Sequence, residues 1–499
     1  MQQWKVWRRL IRPGGGTNER SQPRKPVSPD EVMQLPLDVL RTLPGTEVDR
    51  LLQDVHGAQY ARLVLGYPGH ARLSSEQLER LEREVLDIQR AEIDLLFPGD
   101  AYLTNFVINI WEWAHGREQL ESRPWNITIP ISDVCNARCT FCTSWIEGRR
   151  QLRLDQLELF KEPLKTAVYV GLVGHGEPLS HPQFGKICER LKDYMDPRTR
   201  TYTITNGIYL NRWKDVFDEL SLGWISVSLN AATPETHSEV MGFEPSEFPR
   251  LIATLDDIIQ GRFSAEPIPV NITMVVTKQN LHEVPQFIEL GNALNAASIH
   301  LRSLLAVGHL PLGLNYHLLP PYLHPDFDRL QQAAREAIAQ SRVPVFGDPG
   351  SWQTPVFPES LAEEIKKNPP PIISRAEAQR TKDFRHAADP FYEPSDRPRV
   401  GLRRTDGAFP DSLDDGSNPL GRREPFKCRA VYHGLYVNEL FLRMTPCCYM
   451  TQTPGHDEVR LDEVAAFENG WNSEAFVDLR RSLRSGPLYG ACRRCPERW

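Results

Sequence analysis

From Trp125 to about residue 305, short apolar runs alternate with amphipathic stretches, and nothing else in this 499-residue chain limits its fold so closely. Candidate strands are 125–132 (WNITIPIS), 168–173 (VYVGLV), 201–205 (TYTIT), 224–229 (WISVSL), 268–276 (IPVNITMVV) and 297–303 (ASIHLRS). Helical segments fall between them, near 154–164, 183–193, 211–220, 247–260 and 282–294. Six strands separated by helices at this spacing predict an α/β fold of parallel βα units in an open or partial barrel. Active sites in such folds gather at the C-terminal ends of the strands, so the residues just after each strand carry the interest.

The flanks read differently. Residues 1–35 form a tail: Met1 to Arg12 (MQQWKVWRRLIR) is basic with two tryptophans, and Gly14-Gly15-Gly16 follows. Residues 36–120 read as a helical extension. Ser74 and Gln77 make a capping-box pattern, and Leu78, Leu81, Val85 and Ile88 share one face of a helix that Gly99 closes soon after Pro98. Residues 101–117, with Phe106, Ile110, Trp111 and Trp113, predict another helix packed beneath the barrel segment, residues 121–307. Residues 308–427 hold 17 of the chain's 41 prolines, including Pro369-Pro370-Pro371, which predicts an irregular connector with one helical piece near 326–341. Residues 428–499 regain order and hold five of the nine cysteines.

Composition closes several routes. With 40% hydrophobic and 25% charged residues the balance is that of an ordinary soluble protein. No run of 18 apolar residues is present, so no membrane-spanning helix is expected. A net charge of −7 argues against a general electrostatic grip on nucleic acid. Nine cysteines are too few for a disulfide scaffold and the N-terminus does not read as a secretory signal, so a reducing cytoplasm is the predicted compartment.

Cys135, Cys139 and Cys142 (CNARCTFC) follow the first strand. Three thiolates at this spacing wrap one small inorganic cluster, and a 4Fe–4S cube held by three has one iron open. A structural zinc site wants a fourth ligand close by, and no cysteine or histidine follows within 30 residues. Cys188 stands apart in a helical segment and reads as core packing.

CxxxCxxC after the first strand of a βα barrel resembles the signature of the radical S-adenosylmethionine (SAM) enzymes. The resemblance implies a partial (β/α)6 TIM-like barrel whose open iron is chelated by the amino and carboxylate groups of SAM. It implies reductive cleavage of SAM to methionine and a 5′-deoxyadenosyl radical that takes a hydrogen atom from substrate. Phe141, before the last cysteine, matches the aromatic that borders the adenine. Gly174-His175-Gly176-Glu177-Pro178 resembles the GGEP motif that receives the SAM amino group, with His175 replacing the commoner glycine. Thr205-Asn206-Gly207 resembles the TNG turn. Ser226, Ser228 and Asn230 end the fourth strand, where relatives place contacts to the SAM carboxylate and ribose.

A second cluster lies near the C-terminus: Cys428, the pair Cys447-Cys448, and Cys492-x-x-Cys495. Spacing alone leaves a four-cysteine zinc site equally open. The order Cys, Cys-Cys, helix, CxxC is similar to the shortened SPASM, or Twitch, extension. That implies a small cluster-binding module with one auxiliary 4Fe–4S cluster on Cys428, Cys447, Cys492 and Cys495, Cys447 being preferred over Cys448. Leu442 stands where the family usually has a glycine. A cluster held by four thiolates has no free iron, so its natural role is electron transfer, favouring oxidation of the substrate.

The resemblance therefore implies a radical SAM oxidoreductase acting on a small polyhydroxylated substrate, reduced by a flavodoxin or ferredoxin. Modification of a peptide or protein substrate is the alternative. A non-catalytic zinc or iron–sulfur scaffold, or a conventional SAM-dependent methyltransferase, are alternatives of other classes. Arg302, at the end of the sixth strand, faces either an anionic substrate or an acid of the barrel.

Overall fold

The computed structural model describes residues 73–142, 144–147, 150–220, 222–264, 267–304, 315–353, 428–438, 443–445, 459–461 and 466–485, with a few isolated positions besides. The six expected strands are β1 (Asn126–Pro130), β2 (Tyr169–Val173), β3 (Arg200–Thr205), β4 (Leu222–Ser228), β5 (Val270–Val276) and β6 (Ser298–Ser303), paired in parallel in that order. Alternation decides which way each side chain points. Ile127, Ile129, Val170, Leu172, Ile225, Val227, Ile272, Met274 and Ile299 enter the main core under the helices. The intervening residues face the concave side. The architecture is an α/β, mostly parallel open sheet, as in a partial TIM-like barrel.

The sheet does not stop at six strands. Its order is β10-β9-β8-β1-β2-β3-β4-β5-β6-β7. β7 (Val345–Phe346) pairs in parallel with β6, and β8 (Gly434–Asn438) in parallel with β1. β9 (Arg443–Thr445) and β10 (Val459–Arg460) follow antiparallel. The expected connector is therefore structured at its start. Residues 315–353 contain the helix Phe327–Gln340, β7 and Trp352, which is buried. Six parallel strands leave both barrel edges with unpaired backbone groups, and the flanking segments satisfy them.

Three helices precede β1: α1 (Ser75–Val85), α2 (Arg90–Leu96) and α3 (Ala101–His115). The capping box forms, with the Gln77 N–H 3.1 Å from Ser74 Oγ. The single helix expected up to Gly99 is two, because a second box interrupts it: the Gln89 N–H donates to Glu92 Oε2 at 2.9 Å. α3 starts at Asp100 and ends on Gly116 in the left-handed region. It lies against the N-terminal ends of β1 and β8, where Phe106 meets Trp125 edge-on and Asn109 Nδ2 donates to the Tyr432 carbonyl at 2.7 Å. The segment near 154–164 is a 3-10 turn (Leu154–Phe160) continued by one helical turn (Lys161–Leu164). Among the described residues no helix is long and apolar enough to cross a membrane.

One side chain ties three C-terminal segments to the stretch between α3 and β1. Arg480, on the helix Glu474–Ser485, is fully buried and donates to the carbonyls of Val431 (3.2 Å), Glu118 (3.1 Å) and Trp471 (3.0 Å). Its guanidinium lies 4.7 Å from the Trp471 ring. Burial lowers its pKa to about 10, so it stays charged, held by neutral acceptors. Arg480→Met leaves these carbonyls without a donor, and roughly 4 kcal/mol of stability is expected to go. A shift in the denaturation midpoint reads this, and an unchanged midpoint refutes it.

Candidate active site at the strand ends

The cysteine loop leaves β1 and is held on two sides by backbone. On one side Gly176 N–H donates to the Ser132 carbonyl at 3.1 Å and Glu177 N–H to the Val134 carbonyl at 2.9 Å. This stitching requires two glycines: a Cβ at Gly174 would fall on the Ser132 carbonyl, and one at Gly176 on the Asp133–Val134 backbone. On the other side Arg138 N–H donates to the Met241 carbonyl at 2.8 Å and Thr140 N–H to the Val240 carbonyl at 3.0 Å. Thr140 Oγ1 reaches Gln279 Oε1 at 2.8 Å, and Trp145 Nε1 donates to the Cys139 carbonyl at 3.2 Å.

All three thiols of the loop are half-buried. Cys139 Sγ lies 3.4 Å from Met241 Sδ, and Cys142 Sγ lies 3.2 Å from Ser144 Oγ. The Cys135 thiol is pushed up to about 12, first by burial, with the Glu177 charge adding to it and a hydrogen bond to Asn206 opposing it. Such a thiol ionises only on binding a cationic centre. Three thiols on one backbone-pinned loop suit an iron–sulfur cluster, whose irons each take one sulfur ligand. Among the described residues no group of three acids, histidines or cysteines is set to hold a single metal ion.

Glu177 stands beside this loop with 2% of its surface exposed. Its Oε1 accepts from Leu179 N–H at 3.0 Å and from the Thr205 hydroxyl at 2.6 Å; its Oε2 accepts from Asn206 N–H at 2.7 Å. A carboxylate offers about four acceptor directions, so one on Oε2 is left for a further donor. Burial raises its pKa to about 7, against these hydrogen bonds. Thr205 closes the TNG turn by accepting from Gly207 N–H at 2.9 Å, and Gly207 has φ +82°. Asn206 Nδ2 donates to Asn136 Oδ1 at 2.8 Å, which links the turn to the cysteine loop. Pro178 opens the short 3-10 turn that Glu177 caps.

The remaining positions divide. Phe141 packs against Ala137, Val240 and Met241 on one side and Leu304 and Leu319 on the other, bridging the loop to the end of β6. Ser228 ends β4 on the concave face, half-buried and in register with Thr273. Asn230 is turned to the fold instead. Its φ is 58°, its Oδ1 accepts from Val275 N–H at 2.8 Å, and its Nδ2 lies 3.0 Å from Met241 Sδ. The structure thus brings the four motifs to one end of the sheet. Sequence reasoning missed Asn136, Val240, Met241 and Gln279, which fix the loop. Asn136 lay inside the cysteine motif, whereas the other three follow distant strands and carried no signal.

Of the second cluster only Cys428 is described, half-buried at the edge of the core. Cys447, Cys448, Cys492 and Cys495 lie outside the described residues, as does Leu442. Cys188 is buried in the helix Phe184–Tyr194, where desolvation raises its thiol pKa.

Residues 129–291 match the profile of the Radical SAM superfamily. Among curated proteins, a probable GTP 3′,8-cyclase of Saccharolobus islandicus is 32% identical over 206 residues, 38% of this chain and 61% of that protein. An AdoMet-dependent heme synthase of Methanosarcina barkeri is 28% identical over 197 residues, 38% of this chain and 53% of its own length. The chain thus spans about three fifths of the length of the first relatives it matches. Among solved structures, Streptococcus suis SuiB bound to the precursor peptide SuiA aligns at a TM-score of 0.42 and 15% identity, over 79% of this chain and 71% of that one.

Proposed function

We propose, from the premise that residues 129–291 form a radical SAM domain, that this radical SAM enzyme oxidises a small polyhydroxylated substrate with help from one auxiliary 4Fe–4S cluster. The observation that carries the SAM site is Glu177: a buried carboxylate with one acceptor direction open, hydrogen-bonded to the TNG turn and stitched to the cysteine loop. Cys135, Cys139 and Cys142 would hold the SAM-binding 4Fe–4S cluster, which when bound supplies the electron that cleaves the SAM sulfonium. Gly174, Gly176, Glu177, Pro178, Thr205, Asn206 and Ser228 would line the SAM site, with Phe141 against the adenine. Within it Glu177 receives the SAM ammonium, Asn206 orients the Cys135 side of the loop, and Ser228 offers its hydroxyl. Asn230 supports the site by positioning Met241 and Val275 near the end of β5.

Cys428, Cys447, Cys492 and Cys495 would hold the auxiliary cluster and take the second electron from the substrate. A flavodoxin or ferredoxin would supply the first. The relative named for GTP acts on a hydroxylated molecule, which supports a small polyhydroxylated substrate here.

Anaerobic reconstitution with iron, sulfide, reductant and SAM tests the reading. Formation of 5′-deoxyadenosine is expected, with Glu177→Gln lowering it about a hundredfold or more while the iron–sulfur spectrum persists. S-adenosylhomocysteine in its place, or no SAM cleavage, overturns it.

A further inference from the structure

Just past the last cysteine of the loop, a single helical turn (Ser144–Glu147) opens on Ser144. This residue is 7% exposed. Its Oγ lies between two groups: Cys142 Sγ, 3.2 Å away, and the His175 carbonyl inside the glycine motif after β2. A serine hydroxyl has one proton to give. With that proton on the His175 carbonyl, the Cys142 thiol is the donor toward Ser144 Oγ, and each of the two hydrogens has an acceptor. A buried serine that merely fastens one loop to another needs only the carbonyl. The sulfur is the contact that such a role leaves unexplained.

Loading the loop with a cluster changes the proton count at this contact. A cysteine ligates metal as thiolate, so the hydrogen between Cys142 and Ser144 is lost. Two acceptors would then face each other at 3.2 Å with lone pairs opposed. Turning the hydroxyl about its own C–O bond removes the conflict and moves nothing but a hydrogen. A hydrogen bond to an ionised acceptor is also roughly twice as strong as one between neutral groups, so the sulfur competes well for the proton. The carbonyl left behind belongs to an exposed residue, where solvent takes over as donor.

The three sulfurs of the loop have different neighbours. Cys135 is hydrogen-bonded by the Asn206 side chain, whereas Cys139 Sγ faces Met241 Sδ, a thioether with no proton to give. Hydrogen bonds to the sulfurs of an iron–sulfur cluster draw electron density from it and are among the protein's controls on its reduction potential.

We propose that Ser144 is a positioning residue that gives its hydroxyl proton to the Cys142 sulfur once the loop holds its cluster, and so raises the reduction potential of that cluster. This rests on the first cluster of the function proposed above and adds a control on how readily it is reduced.

An electron paramagnetic resonance redox titration of the anaerobically reconstituted full chain, without SAM, tests it. The signal followed is the one missing from the chain with Cys135, Cys139 and Cys142 all replaced by alanine. Ser144→Ala is expected to keep the iron content of wild type and to lower the reduced-to-oxidised ratio at a fixed potential about tenfold, which for one electron is a midpoint lower by about 59 mV. Ser144→Thr keeps the hydroxyl and is expected to stay at the wild-type midpoint. Electron–nuclear double resonance in H2O and D2O should show an exchangeable proton coupled to the reduced cluster in wild type and its loss in Ser144→Ala. A midpoint unmoved by Ser144→Ala, or an exchangeable coupling that survives it, overturns the inference. So does a threonine variant displaced as far as the alanine one. Wild-type chain that cleaves SAM while Ser144→Ala leaves the midpoint in place refutes this inference alone. Chain that shows the shift but never forms 5′-deoxyadenosine refutes the function instead, and chain that takes up no cluster on this loop refutes both.

Discussion

Replacing Cys135, Cys139 and Cys142 together by alanine is expected to abolish SAM cleavage, a fall of about a thousandfold or more, while the fold survives. The loop keeps its place because backbone holds it. Gly176, Glu177, Arg138 and Thr140 all donate N–H groups across its stem and tip, and none of these bonds uses a cysteine side chain. The thiols themselves are only half-buried, so their truncation leaves little cavity. If Cys428 and its partners hold a second cluster, about four irons per chain remain after the substitution, with a weaker but surviving iron–sulfur absorption. If they do not, iron falls to zero. Iron analysis, visible spectra and product assay on one preparation read all of this. Full iron content and an unchanged spectrum in the triple variant would sink the assignment of the first cluster.

Stability is expected to fall steeply in acid because of His433. This side chain is 5% exposed, wedged against Trp125 (4.9 Å between centroids) and Trp113 (5.6 Å), where α3, β1 and β8 meet. Its Nδ1 lies 2.5 Å from Asn109 Oδ1, and its Nε2 has no partner among the described residues. Burial, aided by the nearby Arg429 charge, lowers its pKa to about 3. The unfolded chain takes up the proton near 6.5 and the folded chain does not, so the stabilisation from a neutral ring is present above about 6.5 and is lost as pH falls toward 3. The loss reaches about 3 kcal/mol by pH 4 and roughly 5 kcal/mol at the lower limit. His237 adds to the same slope: both ring nitrogens are buried without hydrogen-bond partners among the described residues, and desolvation lowers its pKa to about 4. Denaturant titrations at pH 7 and pH 4 measure the slope. His433→Phe keeps the ring packing and should remove the larger part of it; an unaltered slope would show that the ring titrates normally.

The strands were legible because apolar periodicity is local. WISVSL and VNITMVV alternate on their own, and the structure places their branched residues under the helices. The helix before β1 was less so. Its apolar spacing runs on through Ile88, but the capping pair Gln89 and Glu92 breaks it, and such a short signal is outweighed by periodicity when only the sequence is read. The edges of the sheet were illegible. β7 is two residues long and sits in a proline-rich stretch, and β8 finds β1 across about 300 residues, so no window of sequence contains both partners.

The candidate site divides along the same line. Spacing by itself brought out the three cysteines, because a cluster-binding loop needs its ligands within a few residues of one another, and the resemblance added the glycines that let two strand-end loops touch. What Asn230 does was decided by tertiary structure. From the sequence it was a polar residue at a strand end; in the fold its amide is engaged by Val275 and Met241.

Residue order alone determined the chemistry that could be assembled: which donors exist, how closely they are spaced, and which strand each one follows. Tertiary structure alone decided the environment of each donor. Only packing sets how much water reaches Glu177, which face of the sheet carries charge, and what holds the cysteine loop from behind. Spacing is a property of covalent neighbours, whereas desolvation and field are sums over everything nearby in space, and most of what lies near these residues is far away along the chain.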